Sequence, residues 1–156
     1  MIKNGEKWGK VGDGHMLMGE FSHAIDSKGR LFMPAKLREN LGTPFVITKG
    51  VDGCVDVYPM EAWEKLKDSF ASKMMPKHKE RDVSRFIFGG AAEVEPDKQG
   101  RILLPANLRN HAKIQDTVTI VGVGSKAEIW DAQRYEEYMK AEEEDVAQMV
   151  EDLDFD

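Results

Sequence analysis

Asp26-Ser27-Lys28-Gly29-Arg30-Leu31-Phe32-Met33-Pro34-Ala35-Lys36-Leu37-Arg38 returns further along the chain as Asp97-Lys98-Gln99-Gly100-Arg101-Ile102-Leu103-Leu104-Pro105-Ala106-Asn107-Leu108-Arg109. Seven of these thirteen positions are identical: the Asp, Gly, Arg, Pro, Ala, Leu and final Arg. With a one-residue shift the likeness continues. Residues 46–50 (Val-Ile-Thr-Lys-Gly) face 118–122 (Val-Thr-Ile-Val-Gly), Val57-Tyr58 faces Ile129-Trp130, and Trp63-Glu64 faces Tyr135-Glu136. Self-similarity of this length marks a duplicated structural unit.

Each copy reads as strand, turn, strand, short helix, hairpin, helix. A strand over 20–25, or 92–95, enters the Asp-x-x-Gly-Arg turn. There the Asp side chain can bond its own backbone, and Gly permits the positive φ of a tight reversal. The runs Leu31-Phe32-Met33 and Ile102-Leu103-Leu104 are continuously apolar, which predicts strands buried on both faces. Pro34 and Pro105 end them and predict a short helix with proline at its first position. A hairpin over 45–49 and 54–58 follows, matched by 118–123 and 127–130 in the second copy. Trp63, Leu66 and Phe70 then form one helical stripe. In the second copy Tyr135, Tyr138 and Met139 begin the equivalent stripe, and Val146, Met149, Val150 and Leu153 extend it.

Between the copies, 72–81 is charged and broken by Pro76, and a short amphipathic helix over 80–88 stops at Gly89-Gly90. The expected organisation is a tag remnant or disordered leader over 1–15, a first repeat over 16–71, and a linker with helix over 72–90. A second repeat over 91–140 and an acidic helical tail over 141–156 complete it. One copy is too small to bury a good core, so the two are expected to share one barrel.

The 156 residues are 41% hydrophobic and 32% charged, a soluble globular composition. No run of eighteen apolar residues predicts a membrane span, and the start lacks a signal peptide's apolar stretch. A lone Cys54 gives no internal disulfide and fits a reducing cytoplasm; a small residue packed beside a strand describes it better than a nucleophile. The net charge of −6 is unevenly spread. Residues 136–156 hold ten carboxylates against one lysine, a local −9, which leaves +3 on the body. An acidic tail on a mildly basic body leaves nucleic-acid binding open, because steering depends on local patches.

Asp-x-x-Gly-Arg followed by three apolar residues and Pro-Ala resembles the AbrB-like swapped-hairpin fold. Two copies in one chain resemble the MraZ family. Further segments carry the likeness: Gly-Cys-Val-Asp-Val-Tyr-Pro-Met-Glu-Ala-Trp at 53–63, Gly-Gly-Ala-Ala-Glu-Val-Glu-Pro-Asp at 89–97, and Glu-Ile-Trp-Asp at 128–131. Together they span about 18–139. The resemblance implies a mostly β, α+β fold with peripheral helices: a pseudo-twofold, double-psi-like barrel with both Asp-x-x-Gly-Arg loops on one face. It also implies a ring-shaped homo-oligomer that binds direct repeats in double-stranded promoter DNA of the division and cell-wall gene cluster. Such a regulator would be cytoplasmic and associated with the nucleoid.

Arg30 and Arg101 are the foremost candidate DNA contacts, since a guanidinium fork suits phosphate oxygens and the O6/N7 edge of guanine. The competing role is a pair with Asp26 or Asp97 that locks the turn, and both hold if Asp orients Arg. Lys28 and Lys98 are expected to touch phosphates, which position a protein without specifying sequence. Gly29 and Gly100 are expected to permit the turn, with close approach to phosphate a secondary benefit. Arg38 and Arg109 stand between structural salt bridges and an accessory DNA role. Aromatic residues 63, 86, 88, 130, 135 and 138 fit core or interface packing better than base stacking.

Nothing in the pattern calls for catalysis. His15, His23, His78 and His111 have no metal-ligand spacing, and no phosphate loop or nucleophile constellation is present. We expect no cofactor, no metal and no small-molecule substrate. Two rival classes remain: an antitoxin-like module whose acidic tail grips a basic protein, and an enzyme on a double-psi-like barrel.

Overall fold

The structure, a computed structural model, describes residues 16–154, so the expected leader over 1–15 lies outside the described residues. The first copy comprises β1 (Leu17–Ala24), β2 (Arg30–Phe32), α1 (Ala35–Leu41), β3 (Phe45–Lys49), β4 (Val55–Pro59) and α2 (Met60–Ala71). After α3 (Lys77–Ile87) come β5 (Ala92–Val94), β6 (Arg101–Leu103), α4 (Ala106–His111), β7 (Thr117–Gly124), β8 (Ala127–Asp131) and α5 (Ala132–Leu153).

The strand order exposes the duplication in space. One sheet runs β1-β7-β8-β4-β3-β5, and a separate two-stranded ladder pairs β2 with β6. Exchanging each strand for its counterpart in the other copy reads the six-stranded order backwards and leaves the ladder unchanged. That is pseudo-twofold symmetry.

The two hairpins form as the sequence predicts, β3 with β4 and β7 with β8. The strands on either side of each Asp-x-x-Gly-Arg turn do not extend as a hairpin. Only an Ile25–Leu31 bridge joins them in the first copy. β1 instead pairs antiparallel with β7, β5 with β3, and β2 with β6, so every flanking strand finds its ladder in the opposite copy. The swap continues past the ladder. Met33 N–H donates to the Gly100 carbonyl at 2.9 Å, and Leu104 N–H to that of Gly29 at 2.8 Å.

One core serves both halves. Leu31, Met33, Leu37, Phe45 and Ile47 meet Ile102, Leu104, Leu108, Ile120 and Ile129, all essentially buried. Each half contributes strands and core residues to the other, so the core belongs to both and to neither alone. The two short helices start one residue later than expected, with Pro34 and Pro105 as their N-cap residues. The linker helix begins at Lys77, directly after its own cap Pro76.

The prediction that β2 and β6 are buried on both faces is not met. Leu31 and Ile102 are buried, but Phe32 is half-buried and Leu103 is 58% exposed. The ladder has an inner and an outer face, as an antiparallel pair at a barrel surface should. Among the described residues no helix is long and apolar enough to cross a membrane.

Candidate nucleic-acid interface

The two turns are built alike. Asp26 Oδ1 accepts the backbone N–H groups of Lys28 at 3.0 Å and Arg30 at 2.8 Å, while Oδ2 accepts Arg30 Nε at 2.7 Å. In the second copy Asp97 Oδ1 accepts from the backbone of Gln99 at 2.8 Å and Arg101 at 2.9 Å, and Oδ2 from Arg101 Nε at 3.1 Å. Gly29 and Gly100 close the turns at φ +90° and +83°, a region costly for any residue with a Cβ. The donors facing Asp26, the Arg30 backbone N–H foremost, hold its carboxyl down at about 2. Asp97 is lowered by the same kind of bond from Arg101. Each carboxylate is therefore a fixed anion, and the Asp–Arg pairing expected as one reading is present in both turns.

Pairing uses only one edge of each guanidinium. No described hydrogen bond engages the Nη atoms of Arg30 or Arg101, and their side chains are 42% and 36% exposed. An arginine held through Nε with a free terminal fork is preorganised, because part of its rotamer entropy is already lost.

The β2–β6 register sets how the arginines relate. Arg30 lies opposite Leu103, Leu31 opposite Ile102, and Phe32 opposite Arg101. Side chains alternate across a strand, so Arg30, Phe32, Arg101 and Leu103 share the outer face while Leu31 and Ile102 enter the core. The four make a square, with arginines on one diagonal and apolar side chains on the other. Diagonal neighbours on such a ladder are roughly 7–8 Å apart. Lys28 and Lys98 are exposed on the adjoining turns.

Arg38 and Arg109 brace the turns across the copies. Arg38 donates Nε to the Met33 carbonyl at 2.8 Å and lies over the Phe32 ring, 5.5 Å from its centroid. It abuts Gly100, as Arg109 abuts Gly29. The ion pairs among the described residues include neither arginine: Arg38 is held by its backbone bond and cross-copy packing, whereas Arg109 packs against Gly29 with its buried Nε making no hydrogen bond among the described residues.

The aromatic residues pack among themselves. Trp63 meets Tyr58 and Phe88, Trp130 meets Tyr135 and Tyr138, and Phe86 meets His111. Phe88 also meets Phe70, so both aromatic members of the α2 stripe pack within the chain. His111 Nε2 lies 2.8 Å from the Gly50 carbonyl, and His23 lies against Phe32.

Cys54, Asp56 and Glu128 bring three potential ligand atoms within 4.8 Å of one another. That cluster already holds a cation, because Lys126 Nζ stands 2.9 Å from Asp56 and 3.6 Å from Glu128. Despite desolvation, the hydrogen bond to Asp56 keeps the Lys126 ammonium above its ordinary range. Burial first, and then the charges of Glu128 and Asp56, push the Cys54 thiol far up, so it stays protonated and inert.

Two residues escaped the sequence reading. The apolar run places Leu103 in the core, whereas strict alternation from buried Ile102 and Leu104 turns it outward. Arg134 clamps the second half to the first, donating to the carbonyls of Gly53 at 2.9 Å and Ala112 at 2.8 Å. No local pattern marked it, since both acceptors are remote backbone.

Known proteins place the chain firmly. The family model described as "MraZ protein, putative antitoxin-like" matches twice, over residues 16–86 and 87–155. A protein of Heliobacterium modesticaldum named transcriptional regulator MraZ is 49% identical over 142 residues, covering 90% of this chain and 99% of that one. Proteins of the same name from Caldanaerobacter subterraneus and Moorella thermoacetica are 45% and 46% identical, over 89% and 90% of this chain and 97% and 99% of theirs. These names speak of regulation rather than catalysis, in keeping with the non-enzymatic reading of the sequence. Matched in both halves and along nearly its whole length, the chain belongs to the MraZ family.

Proposed function

We propose that the protein is a transcriptional regulator that binds double-stranded DNA sequence-specifically through the outer face of the β2–β6 ladder. One observation carries this reading: Arg30 and Arg101, each fixed by its own aspartate, share one outer face with no hydrogen bond among the described residues to their Nη atoms. A two-stranded ribbon fits the major groove, where an arginine fork can bridge guanine O6 and N7. Lys28 and Lys98 would hold the flanking phosphates. The regulator names of the relatives support the same conclusion.

One chain offers a single such face on a body of modest positive charge. Useful affinity then comes from several chains engaging successive direct repeats, as tethering raises effective concentration without new contacts. The apolar stripe on α5 supports a homo-oligomer, a ring in this reading: Met149, Val150 and Leu153 are 62%, 51% and 64% exposed in the isolated chain. The promoter of the division and cell-wall gene cluster is the proposed target, and the nucleoid the proposed location. A gel shift against the DNA upstream of the protein's own coding sequence, with its repeats intact or scrambled, tests the reading. Retardation only with intact repeats supports it, and equal retardation overturns it. Co-purification of a small basic protein on the acidic α5, with no DNA preference, would favour the antitoxin-like alternative.

A further inference from the structure

The outer face of the ladder breaks the symmetry that the fold otherwise keeps. Phe32 and Leu103 occupy equivalent positions in the two copies and form the apolar diagonal of the square. Phe32 is covered within the chain by the His23 ring at 5.2 Å and the Arg38 guanidinium at 5.5 Å. Leu103 remains 58% exposed, directly across the ladder from Arg30.

An exposed leucine beside a guanidinium, on a face rimmed by Lys28, Lys98 and the open edges of two aspartate-paired arginines, is poorly placed for an apolar protein partner, which would have to desolvate these charges. A polyanion satisfies those cations. Within the major groove, the apolar group that a base edge presents is the C5-methyl of thymine. We infer that Leu103 packs on a thymine methyl next to the base pair read by Arg30, and so gives the module a direction along the DNA. This rests on the DNA-binding reading above. The Phe32 corner is less open, because its half-buried ring already packs against His23 and Arg38. A pseudo-symmetric module with one open apolar corner reads an asymmetric site, in one orientation.

The test uses the full chain and the upstream duplex it binds, with each thymine replaced singly by deoxyuridine, which removes the methyl alone. For the wild-type protein, one replacement per repeat should weaken binding about threefold to fivefold, the factor that burying one methyl group carries. Leu103→Ala should bind the thymine duplex more weakly by a similar or larger factor and be indifferent to that same replacement. Its unfolding midpoint should match wild type, since the side chain lies outside the core. If Leu103→Ala binds as wild type does, or if no replacement has an effect that depends on Leu103, the inference falls while the arginine reading stands. If the wild-type protein prefers none of these duplexes over scrambled DNA, the DNA reading itself fails, and this inference with it. A change in oligomer size on Leu103→Ala, with no change in methyl dependence, would assign the residue to contact between copies and overturn the inference as well.

Discussion

Gly29 of the first copy lies against the guanidinium of Arg109 of the second. A Cβ at position 29 would stand 3.0 Å from Arg109 Cζ and 2.7 Å from the Leu104 carbonyl oxygen. The turn that carries Arg30 is thus seated on the other half of the chain, and Gly100 is seated in the same way against Arg38.

Gly29→Ala should therefore destabilise the fold by about 1–3 kcal/mol, because φ at +90° is strained for alanine and the backbone carbonyl of Leu104 cannot swing aside. Gly100→Ala should cost less. Its new methyl would meet the movable side chains of Arg38 and Phe32 rather than backbone. Chemical denaturation of the two variants checks the order.

The duplication was legible because seven identities fall on the residues that make the turn and seat the helix. Hairpin composition likewise marked β3–β4 and β7–β8. Strand partners were another matter. Periodicity reports which face a strand buries, whereas pairing of β1 with β7 or β2 with β6 depends on which half completes which sheet. That information is carried by the fold and not by local pattern. The run Ile102-Leu103-Leu104 holds no polar residue to mark its outer face, so Leu103 reads as core from composition although alternation turns it outward. Phe88, at the end of the amphipathic linker helix, packs on Trp63 and Phe70 of the α2 stripe as the aromatic pattern suggested, whereas the far end of the α5 stripe stays exposed.

Acid should act on the turns in one direction. The Asp26 carboxyl is depressed to about 2 in the folded chain, from 3.8 without its partners. Its contribution to stability is complete above the unfolded value and is lost as pH falls from about 4 through 2. Asp26→Asn should be less stable than wild type at neutral pH and should lose less on acidification across that window. Unfolding midpoints measured from pH 6 to pH 2 would show the two curves converging; parallel curves would mean that the carboxylate contributes nothing.

Replacing Val150 and Leu153 with glutamate should shift the protein to smaller species. Both lie on the exposed stripe of α5 and outside the buried core, so the fold should persist. Light scattering across micromolar concentrations should find more than two subunits for wild type and fewer for the variant. A monomeric wild type would end the multivalent scheme.

Repeat spacing should matter in a periodic way. Neighbouring chains can present the same face to successive repeats only if these lie near one helical turn apart, about 10–10.5 base pairs. Inserting half a turn between repeats should reduce binding steeply, and inserting a full turn should restore part of it. Rising salt should weaken binding sharply, because several phosphates are neutralised together. Affinities for one, two and three repeats at fixed salt would expose the cooperativity.

The most direct measurement is fluorescence anisotropy of the labelled upstream duplex with wild-type protein, Arg30→Ala and Arg101→Ala at fixed salt, paired with circular dichroism of each variant. Each substitution removes a preorganised fork from the exposed face while leaving the buried ladder residues Leu31 and Ile102 in place. The predicted result is an unchanged spectrum and a loss of about 1–3 kcal/mol in specific binding for every engaged site, summed over the assembly. Wild-type affinity in both variants would contradict the account. So would unfolding of either, which would assign the arginines to holding Asp26 and Asp97 rather than to reading DNA.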